Sequence, residues 1–330
     1  MKALSSPKSP TSSFVPSRPE RPGLGILCLV GTTLIFAGQD AITKHLVALY
    51  PVSFIVMVRY WVFAVFALGL AWAGTRGKGP GALAGALKSR RPLIQIVRAL
   101  LLVSEIALMG LAFRYLGLAE VQAVFAIYPL MVMVLAIPVL GERVGWRRWA
   151  ATGVAFAGLL LIVRPGLGAF QPAALYAALA AALYALFMVL SRLVSRDDGA
   201  ATTQVYAAGI GALVLSLWGL GEWPVLPVAD WAWLGALACL AVGAHVLLLA
   251  ALTFAPASVL QPYNYLMLVW AIGVGYAVFG DVPDAWTLGG GAVIVASGLY
   301  ALHRERLRAR RTPAGGPPPQ PVTQKEGRSA

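Results

Sequence analysis

Apolar residues fill ten stretches of this chain between Leu24 and Leu302, separated by short polar links. A helix rises ~1.5 Å per residue and the hydrocarbon core of a bilayer is ~30 Å thick, so ~20 apolar residues cross it. The pattern predicts spans at 24–45, 51–74, 93–114, 118–140, 146–163, 172–193, 201–220, 231–254, 257–279 and 284–302. The runs are rich in Leu and Ala and lack the period-two alternation of a β-barrel. The fold class expected is therefore an all-α integral membrane protein with ten transmembrane helices. Residues 1–23, polar and rich in Pro and Ser, and the basic segment 304–330, rich in Pro and Gly towards its end, read as disordered tails. The first apolar run is of full spanning length, so no cleavable signal peptide is expected.

Composition narrows the class further. Hydrophobic residues make up 59% of the chain and charged residues 12%, against ~25% charged in soluble domains. The formal charge of +13 invites a nucleic-acid reading, but its distribution argues otherwise. An even number of spans puts both termini on one side, and twenty-one of the 26 Lys and Arg fall on that side. The other five are Lys44, Arg114 and Arg164 at the opposite helix ends, and Arg59 and Arg98 within spans. That asymmetry predicts cytoplasmic termini and lipid headgroups, not nucleic acid, as partners of the basic residues. Cys28 and Cys239 sit at different depths and form no disulfide framework or metal-ligand spacing.

The two halves echo each other. Gly141-Glu142, Trp146 and Gly158 recur as Gly280-Asp281, Trp286 and Gly298, within GERVGWRRWAATGVAFAG and GDVPDAWTLGGGAVIVASG. Five helices is an odd number, so tandem copies must enter the membrane from opposite sides. The expectation is a 5+5 inverted-topology repeat, 24–165 and 166–303, an architecture that supports alternating access.

Those duplicated Gly-acid junctions leading into Gly-rich helices, with Pro51 followed by Arg59, resemble the ten-helix EamA-type branch of the drug/metabolite transporter superfamily over roughly residues 24–304. The resemblance implies an inner-membrane solute carrier with a central cavity, most members being exporters of amino acids and other metabolites. It does not name the solute.

Ionisable groups at membrane depth are costly and mark paired or functional positions. Arg59 lies roughly 12 Å from the outer face on the second helix and Glu105 roughly 18 Å from the inner face on the third, so their depths coincide. The reading taken is a structural ion pair locking those helices, with Glu105 as a proton carrier the alternative. Arg98 is near enough to the inner surface to snorkel. Asp40 and Lys44, at i and i+4, suit a local ion pair, while Gln39 and Asp40 near a cavity mouth are gate candidates. Pro129 in the fourth helix and Pro262 in the ninth interrupt corresponding spans, which points to the transport path. The candidate substrate-binding residues are Gln122, Tyr128, Tyr184, His245, Gln261, Asn264, Tyr265 and Trp270.

Such a wall, with few charges, suits a net-neutral zwitterion better than a polyanion. The chain has no GxxxxGK[ST] loop, so no ATP hydrolysis is expected, and no metal site or cofactor. A monomeric secondary transporter exporting amino acids, aromatic or otherwise neutral, is the first reading. Import or exchange of another class, such as nucleotide-sugar or S-adenosylmethionine-type cargo, stays open. An intramembrane enzyme would need a nucleophile with a base or a metal, which the sequence does not offer.

Overall fold

The computed structural model describes residues 21–76, 79, 81–140, 146–163, 172–255 and 257–311, and all of its regular structure there is helical. In chain order the elements are α1 (Pro22–Leu49), α2 (Val52–Thr75), α3 (Ala82–Leu87), α4 (Pro92–Tyr115), α5 (Leu118–Phe125), α6 (Tyr128–Leu140) and α7 (Trp146–Val163). They continue as α8 (Ala174–Val194), α9 (Ala200–Gly219), α10 (Val228–Phe254), α11 (Ala257–Leu260), α12 (Leu266–Phe279) and α13 (Ala285–Arg311). Among the described residues nine spans are long and apolar enough to cross a membrane, and the apolar part of α7, Trp149–Val163, is a shorter tenth. α5 and α6 together make one span, as do α11 and α12, which are joined by a 3₁₀ turn at Gln261–Tyr265.

The predicted spans match these helices to within a few residues, apart from longer ends on α1, α10 and α13. The expected tails lie largely outside the described residues. The last helix nevertheless runs on to Arg311, because Arg, Leu, Ala and Glu are strong helix formers that carry a helix out of the lipid.

The packing obeys a pseudo-two-fold exchange of the halves. α1 packs on α10, and its counterpart α8 packs on α4; α1 packs on α12, and α8 on α6. α4 meets α9 as α10 meets α2, while α2–α9, α7–α13 and α5–α12 pair across the axis. Each half has an odd number of spans, so the axis lies in the membrane plane. The chain is a 5+5 inverted repeat.

Lipid tails are as apolar as Leu, so helix contacts here depend on close approach at small residues. A Cβ at Gly158 of α7 would lie 2.9 Å from the Gly290 carbonyl of α13, and one at Gly290 would lie 2.6 Å from the Gly158 carbonyl. α2 and α9 close in the same way: a Cβ at Gly219 would lie 2.8 Å from the Ser53 carbonyl, and one at Gly211 would run into the Tyr60 ring.

Candidate functional site

Both proline-bearing spans break where the sequence predicts. Pro129 offers no N–H to the carbonyl of Phe125 four residues earlier, and helix gives way to a turn at Ala126–Ile127. Pro262 opens the 3₁₀ turn in the matching span of the second half.

An aromatic wall joins the fourth span to α8. The Tyr128 and Tyr184 rings meet edge to face at 5.0 Å, Phe125 lies 5.2 Å from Tyr128 and 5.5 Å from Tyr184, and Phe187 stacks on Tyr184 at 5.7 Å. Ionisable groups of α1, α2 and α4 lie near it. Gln122 of α5 donates through Nε2 to Asp40 Oδ2 of α1 at 2.8 Å. With its amide turned so that the oxygen faces the guanidinium, Gln39 accepts from Arg59 Nη2 at 2.8 Å and Nη1 at 3.3 Å. Glu105 of α4 is 7% exposed and has no hydrogen-bond or ion-pair partner among the described residues. The Arg59 guanidinium is near enough to Asp40 and Glu105 to act electrostatically on both, and Glu105 is near enough to act on Tyr184.

His245 of α10 holds the Ala241 carbonyl at 2.8 Å through Nδ1. Its ring lies between Phe36 and Phe63, at 6.0 and 5.7 Å. Trp270 of α12 donates to Thr33 Oγ1 of α1 at 3.2 Å. The Tyr265 ring occupies the space that Gly298 leaves free, and its hydroxyl is buried without a partner. Asn264 is half-buried, and the Gln261 side chain lies outside the described residues.

Three expectations about charges are corrected. Arg59 and Glu105 share a depth but make no ion pair: the guanidinium goes to Gln39 instead. Depth fixes a residue along the membrane normal and leaves its direction around the helix open. Asp40 and Lys44 do not pair either. Lys44 Nζ reaches Asp281 Oδ2 and the Leu116 carbonyl, both at 2.8 Å, and sits 5.2 Å from the centre of the Phe279 ring. Gly280 makes this possible by ending α12 at φ +69°, a conformation glycine adopts freely. The backbone turns there, the Asp281 N–H returns to the Gly275 carbonyl, and the carboxylate stands over Gly117. The matching Gly141-Glu142 lies outside the described residues.

Arg98 does not snorkel. It is 2% exposed, donating to Gln95 Oε1 at 3.2 Å, to Ser191 Oγ at 3.3 Å and to the Thr203 carbonyl, with Phe187 5.1 Å away. These bonds knot α4 to α8 and α9 at the face that carries Pro22 and Arg311. Beside them Asp198 accepts from Ser89 Oγ, from the Arg90 N–H at 2.8 Å and from Gln95 Nε2 at 2.9 Å, and Arg91 pairs with Asp197 at 2.6 Å. Burial alone would push the Asp198 carboxyl up, but the donors from Ser89, Arg90 and Gln95 hold it below its ordinary value.

The opposite face has its own knot. Tyr50 donates to Asp230 and Ser53 to Glu222. The segments involved, 50–53 with 222–230, are the repeat counterparts of 195–200 with 76–91. Sequence reading missed both knots, since only the repeat register, applied to the interhelical links, brings such distant polar residues together.

The sequence profile of the EamA-like transporter family matches the chain twice, over residues 23–164 and 171–302. The S-adenosylmethionine uptake transporter of Rickettsia prowazekii is 31% identical over 233 residues, 67% of this chain and 75% of that one. The riboflavin transporter of Vibrio cholerae is 30% identical over 179 residues, 52% and 58% of the two chains. The pseudopaline exporter CntI of Pseudomonas aeruginosa is 24% identical over 285 residues, 86% and 96%. A solved crystal structure superposes with a TM-score of 0.56 at 18% identity, over 87% of this chain and 99% of its own, a likeness of fold alone. With both halves of the inverted repeat matched, the chain belongs to the EamA-like transporter family.

Proposed function

We propose that this chain is a secondary carrier of the bacterial inner membrane, with cytoplasmic termini, that moves zwitterionic metabolites carrying a planar ring. The observation that supports this most is an aromatic wall within electrostatic reach of a sparse set of charges. A planar ring stacks on Tyr128 and Tyr184. A cationic centre on the solute faces Asp40 and Glu105, and a carboxylate faces Arg59, whose partner Gln39 is neutral and leaves the guanidinium charge available. S-adenosylmethionine combines an adenine ring, a sulfonium, an ammonium and a carboxylate, and relatives named for its uptake favour it as the first compound to test. The repeats 24–165 and 166–303 rock about the site as a monomer, driven by solute gradients or exchange and not by ATP.

Export of aromatic amino acids is the second reading, favoured by the same tyrosine wall, which suits a phenyl or indole ring equally well. The two separate in proteoliposomes preloaded with unlabelled compound. Counterflow of radiolabelled S-adenosylmethionine that unlabelled phenylalanine and tryptophan fail to compete supports the first reading. Counterflow of phenylalanine or tryptophan alone supports the second. Absence of all three overturns both.

A further inference from the structure

α12 and α13 both rest on α5. Glycines set the approach: a Cβ at Gly275 of α12 would lie 3.5 Å from Leu118 Cβ, and one at Gly291 of α13 would lie 3.4 Å from Ala123 Cβ. Between the two helices, over Ala119 of α5, a cleft of about 380 Å³ remains, within the ~300–1,000 Å³ of small-molecule sites. Leu268 and Ile272 wall it on α12, Ala292 and Ala296 on α13, and Tyr265 lines it from the 3₁₀ turn. Of its described lining side chains only those of Thr287 and Tyr265 carry polar atoms. Thr287 is buried, and the Tyr265 hydroxyl is buried against Gly298. The cleft is not sealed: Val269, Leu288 and Leu299 along it are exposed, as are Ala292 and Ala296. It therefore opens on the apolar surface that these spans present to lipid.

We propose that this cleft is a lipid site, which holds one acyl chain of a phospholipid along α13 and against Tyr265. The site is independent of which solute the protein carries. Its chemistry leaves one class of occupant. Water needs two to four polar partners, a polar solute would give up hydration without compensation, and an empty cleft forfeits the dispersion contacts of its walls. A hydrocarbon tail fills it at none of these costs. Length agrees. The α13 part of the lining runs from Thr287 to Leu299, about 18 Å at ~1.5 Å per residue, and one leaflet contributes roughly half of a ~30 Å core. Pro283 at the mouth belongs to the link between α12 and α13, at the face opposite the one that carries Pro22 and Arg311. The tail therefore enters from the leaflet of that opposite face and ends near mid-membrane. Ala292 and Ala296, one turn apart, leave the room that larger side chains would take. The bound tail packs against the turn that carries Tyr265 and against the link that carries Asp281, so it becomes part of the second half's packing.

The test is native mass spectrometry of the full chain through stepwise delipidation in detergent, which should show one phospholipid retained after the others are lost. Ala296→Phe puts a ring into the cleft from a lipid-exposed position and should lower that retention about tenfold, the loss of about two buried methylenes. Leu217→Phe, on the exposed surface of α9 away from the cleft, should retain lipid as the parent does. In thermal melts of the delipidated protein, dioleoyl phosphatidylethanolamine should raise the midpoint of the parent and of Leu217→Phe. Dihexanoyl phosphatidylethanolamine, with the same headgroup and tails too short to span the cleft, should not. Ala296→Phe should begin at an equal or higher midpoint and gain less from the dioleoyl lipid. Retention in Ala296→Phe equal to the parent, an equal loss in Leu217→Phe, or equal stabilisation by the two lipids would each overturn the proposal. If Ala296→Phe begins at a lower midpoint, Ala292→Leu, which fills the cleft one turn earlier, is judged by the same outcomes.

Discussion

Removing the Asp281 charge should open the face on which Lys44 lies. The pair is 2.8 Å apart with side chains 17% and 28% exposed. At an effective dielectric of ~20 the gross attraction is about 6 kcal/mol. Desolvation and side-chain ordering offset most of it. Exposed pairs retain ~0.2–1 kcal/mol, while breaking a buried pair costs ~3–5 kcal/mol. This half-buried pair falls between, at about 2 kcal/mol, or roughly 30-fold in the ratio of open to closed. The assay is a double-mutant cycle with Asp281→Asn and Lys44→Met, read by thermal unfolding in detergent and by impermeant-thiol labelling of a cysteine at Gly117, which lies under the Asp281 carboxylate. Each single variant should raise labelling from that face, and the coupling should be at least about 1 kcal/mol and shrink in high salt. A coupling below ~0.3 kcal/mol, with labelling unchanged, would refute a role for the Lys44–Asp281 pair in keeping this face closed.

Other consequences follow from the packing and the two knots. Arg98→Leu should lower stability by about 2–4 kcal/mol, because it strips a donor from Gln95, Ser191 and the Thr203 carbonyl; a midpoint equal to the parent would contradict the knot. Gly290→Ala should destabilise by ~1–3 kcal/mol through overpacking against α7, while Gly153→Ala, which meets nothing within 4 Å, should be neutral in the same melt. The Asp198 carboxyl is held below its ordinary value of 3.8. Its contribution is therefore fully present above that value and lost as pH falls through the lower, folded one. The thermal midpoint should drop below about pH 4 less steeply in Asp198→Asn than in the parent, and identical acid limbs would contradict the assignment.

The spans were legible because bilayer thickness imposes one strong period-free signal, length of apolar run, on every helix. The breaks at Pro129 and Pro262 were legible for an equally local reason, the missing N–H. Tyr128, Tyr184, Gln122 and Asp40 could be nominated by depth and chemistry alone. What sequence could not supply was direction around each helix. That is why Arg59 is bonded to Gln39 and not to Glu105, and why Lys44 passes over Asp40 for Asp281. Arg98 illustrates the same limit: its depth permits escape to the surface, but α8 and α9 cover it and provide two acceptors, Ser191 Oγ and the Thr203 carbonyl, beside Gln95 of its own helix. The seat of the Tyr60 ring had no signal at all in sequence, since it depends on the absent side chain of Gly211 in the other half.

The central claim, that one interior binds a ring through Tyr184 and charges through Asp40, Glu105 and Arg59, is tested most directly by binding. Radiolabelled S-adenosylmethionine should bind the purified protein in detergent at equilibrium. Tyr184→Ala should weaken it by about tenfold, the loss of one aromatic stacking partner, and Asp40→Asn or Glu105→Gln should also weaken it, each with the protein remaining folded. Binding that survives Tyr184→Ala, Asp40→Asn and Glu105→Gln unchanged would contradict the account.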